Sequence, residues 1–69
     1  MKAIAVKDGK PVKIWYHAIK VSNDTKYKYF VITEKIYHHE LIQTIRYTDA
    51  DKIVLEEDGK VIETYYAIK

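Results

Sequence analysis

Residues 12–22 read VKIWYHAIKVS, and the way this stretch alternates decides how the chain is built. From Val12 to Ala18 every second side chain is apolar: Val12, Ile14, Tyr16 and Ala18, with Lys13, Trp15 and His17 between them. That is the period-two pattern of a strand with two unlike faces. After Ala18 the phase changes, so that Ile19 and Val21 become the apolar set and Lys20 and Ser22 the polar one. A one-residue phase change within a strand is what a β-bulge or a sharp bend produces, and small barrels close through such bends. On this reading Val12, Ile14 and Tyr16 face the core, and Lys13, Trp15 and His17 face outward. Trp15 is the only tryptophan. It has two readings: an anchor of the core, as large aromatics in small domains generally are, or a platform on a basic surface.

Turn signals punctuate the rest of the chain. They are Asp8-Gly9-Lys10-Pro11, Ser22-Asn23-Asp24-Thr25, Thr48-Asp49-Ala50-Asp51 and, sharpest of all, Asp58-Gly59. Asp-Gly tolerates the positive φ of a type I′ hairpin turn. The runs between them are rich in Val, Ile, Tyr and Thr, which fit a pleated surface. The pattern predicts strands at about 2–7, 12–21, 27–33, 42–48, 52–57 and 60–67. Short connections make sequence neighbours pair antiparallel. Residues 34–41, EKIYHHEL, fit either period, so a short helical turn near 38–43 is expected between strands, with a helix over 34–47 as the alternative. The fold class is all-β: one domain of 69 residues, a small antiparallel meander forming a barrel or a strongly bent sheet. VKDGKPV and LEEDGKVI share a DGK turn, which alone does not establish an internal repeat.

Composition narrows the function. The chain has no cysteine, which excludes disulfides and thiolate zinc sites. No stretch has the length of a signal-peptide core or a membrane span, so an intracellular, cytoplasmic protein without membrane attachment is expected. Much Lys and Glu, few thermolabile residues and short turns are the hyperthermophile pattern, which points to a thermophilic archaeal or viral source. Net charge is +2 and is polarised: residues 1–30 carry +5 and residues 31–69 carry −3. Size, Lys excess and β content resemble those of the small SH3-like chromatin proteins of archaea. That resemblance stops at composition, since no motif of theirs lies on these positions, and no residue role follows from it.

Catalysis finds no candidate residues. The only serine, Ser22, sits in a turn where hydroxyls bond the local backbone. No nucleophile elbow or phosphate-binding glycine loop is present, and Glu56, Glu57 and Asp58 run into a hairpin turn as a solvated cluster. His38-His39-Glu40 lacks the spacing of a zinc motif, and adjacent strand residues point to opposite faces. No enzyme activity, metal, cofactor or small-molecule substrate is therefore expected. Lys13, Lys20, Lys26 and Lys28, with Trp15, His17 and nearby tyrosines, have the makings of a surface on which cations meet phosphates and rings meet bases. The partner so implied is DNA or RNA. The second expectation is a homodimer or another protein-interaction module, paired through the long apolar last strand at Val61, Ile62, Tyr65 and Tyr66.

Overall fold

The computed structural model describes residues 1–68. Its elements are β1 (Lys2–Lys7), β2 (Lys10–Trp15), β3 (Ala18–Asp24), β4 (Tyr29–Ile36), β5 (His39–Arg46), β6 (Lys52–Glu57) and β7 (Lys60–Tyr66). They form two antiparallel sheets, one in the order β2-β1-β6-β7 and the other β3-β4-β5. The chain lays down a hairpin in the first sheet, crosses to the second for a three-strand meander, and returns to set a second hairpin beside β1. The expected all-β class holds. The expected barrel does not, because β7 pairs only with β6, while β1 is already occupied on both sides by β2 and β6.

The phase change near Ala18 is where the chain changes sheets. The predicted strand over 12–21 is two strands, broken at Tyr16-His17, and a register shift between Ala18 and Lys20 leaves Ile19 as the extra residue. The expected facing of this stretch is inverted. Trp15 pairs with Ala3, an inward residue, and is only 2% exposed, whereas Ile14 is 37% and Tyr16 65% exposed. Both sides of β2 are apolar, so alternation could not say which is inner. Burying the largest ring removes the most apolar area from water, and the register with Ala3 and Ala5 puts it inside.

The core between the sheets joins Ala3, Ala5, Trp15, Ile53 and Leu55 to Ala18, Val21, Phe30 and Ile32, with Tyr47 and Ala50 at one end. The two alanines of β1 leave volume that their cross-strand neighbours fill, Trp15 and Leu55 beside Ala3 and Ile53 beside Ala5. Phe30 and Tyr47 pack as tilted rings with centroids 4.7 Å apart, a favoured aromatic geometry. Asn23 ties the sheets together, its side-chain amide donating to the Tyr47 hydroxyl at 2.7 Å and to the Tyr66 carbonyl at 2.9 Å.

The helical turn expected near 38–43 is strand instead. Tyr37 takes φ 58° and, with His38, closes a tight β4–β5 hairpin in which Ile36 pairs with His39 and Lys35 with Glu40. A left-handed tyrosine is uncommon, and without Gly or Asn the sequence does not announce this turn. The two DGK turns are more alike than their short match implied. Asp8-Gly9 and Asp58-Gly59 both take positive φ, and each hairpin carries a register shift at the same place, with Val12 and Ile62 the extra residues. The halves of the four-stranded sheet are therefore built alike, with β1 and β6 side by side at its centre.

Tyr65, expected at an edge interface, points inward and packs half-buried against the core. Its hydroxyl donates to Glu63 Oε2 at 2.7 Å. Burial first, then this bond and the Glu63 charge, push its pKa from 10 up to about 12. A folded-state pKa above the unfolded one means stability that is full below pH 10 and lost as pH rises towards 12. Tyr65→Phe is therefore expected to flatten the loss of urea midpoint between pH 10 and 12. An unchanged slope would show that Tyr65 does not titrate with folding.

Candidate nucleic-acid interface

The outward face of the three-stranded sheet ends in a turn organised by one carboxylate. Asp24, the last residue of β3, accepts the backbone N–H groups of Lys26 and Tyr27 on Oδ1, both at 3.1 Å. This is the self-bonding that makes Asp a turn residue. Lys28 then takes φ 62° and returns the chain into β4. The turn pushes Tyr27 into solvent, 63% exposed. Its ring stacks on Tyr29 with centroids 6.2 Å apart and planes 13° from parallel. The Lys26 ammonium lies 5.2 Å from the Tyr27 ring centroid, within cation–π range. The Tyr29 phenol is raised above its ordinary pKa, first by desolvation and then by the charge of Asp24 and a hydrogen bond to it.

Across the ladder Tyr29 is paired with Arg46. Together with Tyr27, Lys28, Thr44, Tyr47 and Thr48 they line a cleft of about 520 Å³. A second hollow of about 460 Å³ adjoins it, bounded by Lys7 and Ile68 and sharing Lys28, Tyr47 and Thr48. Lys28 thus stands on the ridge between the two. Further along the same sheet face, β3 contributes Lys20 opposite Thr33, and Ser22 lies opposite Val31. Ion pairs among the described residues are Lys2–Glu56 at 3.6 Å and Lys7–Asp51 at 3.3 Å. The charges of Lys20, Lys26, Lys28 and Arg46 are therefore open to solvent or a partner.

The predicted set divides. Lys26 and Lys28 belong to the turn at one end of the three-stranded sheet, and Lys20 lies on its outward face four residues along β3 from Asp24, opposite Thr33. Lys13, Trp15 and His17 do not join them. Lys13 lies on the inward side of β2 at its open edge, its ammonium 5.4 Å from the Trp15 ring centroid. Trp15 is buried, and its indole N–H donates to Gln43 Oε1 at 3.0 Å, so no base can stack on it. His17 lies in the link between sheets, its backbone N–H bonded to Glu34 Oε2 at 3.3 Å. Arg46 was missed, because the register that brings it beside Tyr29 could not be read without knowing that residues 29–36 and 39–46 pair. Among the described residues no group of three or more His, Asp or Glu converges as a metal site would require, and no helix is long and apolar enough to cross a membrane.

Comparison with protein-family models, with curated proteins and with solved structures found no match.

Proposed function

We propose that the chain is a non-catalytic module that binds single-stranded nucleic acid on the outward face of its three-stranded sheet. The observation that carries this reading is the exposed Tyr27 ring stacked on the half-buried Tyr29, with Lys26, Lys28 and Arg46 around them. Rings offer a π-face to any base, and the cations lie where the linking phosphates would run. A single strand fits better than a duplex, because bases must be splayed to reach the rings. The face spans only a few nucleotides, so affinity is modest and little sequence preference is expected.

The test is fluorescence anisotropy of a labelled pyrimidine oligonucleotide. Loss of one stacked base is worth about 1–3 kcal/mol, or roughly 5- to 150-fold in affinity, so Tyr27→Ala is expected to weaken binding by at least about fivefold. Lys26→Glu with Lys28→Glu is expected to abolish it while leaving the urea midpoint nearly unchanged, since both side chains belong to an exposed turn. Binding that survives the double reversal in a folded protein would remove this face from consideration.

A further inference from the structure

The other outward face, that of the four-stranded sheet, has a different character. Its central row runs Ile14, Ile4, Val54 and Thr64 directly across the strands. Val12, Ile62 and Tyr66 stand exposed around it, each more than half accessible. A contiguous apolar patch across the middle of a sheet face is what a monomer rarely leaves in water. The charges on this face are Lys2, Lys52 and Glu56. Lys2 and Glu56 are cross-strand partners and form an ion pair. Lys52 lies between Val6 and Tyr66.

We infer that this face packs against the same face of a second copy, about a two-fold axis running across the strands through the Ile4–Val54 pair. Lys52 and Glu56 lie on one face of β6, two residues either side of Val54, because side chains repeat every second residue. A rotation about that axis reverses β6 over its copy. It sets Val54 on Val54, Ile4 on Ile4, Lys52 opposite Glu56 of the other copy, and Lys2 opposite Val6. No like charges meet, and Lys52 gains the partner that its own sheet does not offer. A two-fold axis along the strands would instead double the Lys2–Glu56 pairing and leave Lys52 over Val6. Sheets packed face to face cross at about 30°. At roughly 7 Å from the axis that displaces Lys52 sideways by only about 4 Å, within reach of a lysine.

The size of the face sets the strength. Strands of about six residues rising 3.3 Å each, four across at 4.8 Å, cover on the order of 400 Å² per copy. That lies at the weak, transient end of specific interfaces, so the dimer is expected to be reversible. The last strand, β7, is the edge of its sheet, and of the residues expected at an interface there Val61, Ile62 and Tyr66 are exposed while Tyr65 packs against the core; the contact inferred here uses the face of the sheet and not that edge. This arrangement leaves the Tyr27–Tyr29 end of both copies uncovered, so it stands independently of the nucleic-acid reading.

Sedimentation equilibrium of the chain between about 1 μM and 1 mM tests the inference. The wild type is expected to be a reversible dimer. Lys52→Glu and Glu56→Lys, each alone, should raise the dissociation constant at least tenfold, with urea midpoints confirming that both remain folded. Mixed in equal amounts, the two variants should form a heterodimer near wild-type strength, because a copy with two glutamates meets a copy with two lysines. A wild type that stays monomeric to 1 mM, or reversals that leave dimerisation unchanged, would overturn the inference. So would variants that fail to rescue each other.

Discussion

Trp15→Ala is expected to leave the chain substantially unfolded at 25 °C. Truncating a buried tryptophan costs about 3–5 kcal/mol, from lost transfer energy and the cavity that remains. A 69-residue domain holds on the order of 3–10 kcal/mol in total. No disulfide is available to compensate, and four of the core residues are alanines, Ala3, Ala5, Ala18 and Ala50, which contribute little area each. The ring also anchors contacts on two sides, the Gln43 side chain at its indole N–H and the Lys13 ammonium over its face. Trp15→Phe keeps much of the apolar volume but strands the Gln43 acceptor, and should cost about 1–3 kcal/mol. Far-UV circular dichroism with urea titration checks both. A wild-type midpoint in Trp15→Ala would place the ring on the surface after all.

The second large effect lies in the same region. Among the described residues, Glu34 is the one buried charged side chain. Its carboxylate accepts the His17 backbone N–H on one oxygen and the Gln43 side-chain amide on the other, and Gln43 in turn accepts the Trp15 indole. This chain of bonds joins the inter-sheet link, β4, β5 and β2. Glu34→Ala leaves two donors without their acceptor, each worth about 1–3 kcal/mol when buried. A total of about 2–4 kcal/mol is expected, since the site lies near the sheet ends where water relieves part of the loss. Residues in one hydrogen-bond network couple by about 0.5–3 kcal/mol, so Glu34→Ala and Gln43→Ala together should cost less than the sum of the two alone. Strict additivity would mean that the network does not act as a unit.

Much of the fold was legible because local chemistry is unambiguous in places. Asp-Gly turns flanked by β-branched runs marked both hairpins of the four-stranded sheet, and the phase slip at Ala18 marked where the chain bends. The turn at Tyr37-His38 puts a tyrosine at its positive-φ position and has no Gly or Asn to mark it, so strand and helix could not be separated there. Sheet membership was hidden for a different reason. β1 and β6 pair across 45 intervening residues and more, and nothing local announces such a partner. The facing of β2 was undecidable from alternation, since Ile14 and Trp15 offer apolar sides to both directions. The candidate site inherited that ambiguity. The lysines of the Thr25–Lys28 turn were found by charge alone, whereas Arg46 needed the register and Trp15 needed the facing.

The most direct test of the account is amide and indole chemical-shift mapping of the labelled chain as a short single-stranded oligonucleotide is added at low salt. Saturable shifts are expected at residues 25–29 and 44–48 and at Lys20, weakening as salt rises, with the Trp15 indole N–H unmoved. No shifts, or shifts centred on Ile4, Val54 and Trp15, would contradict it.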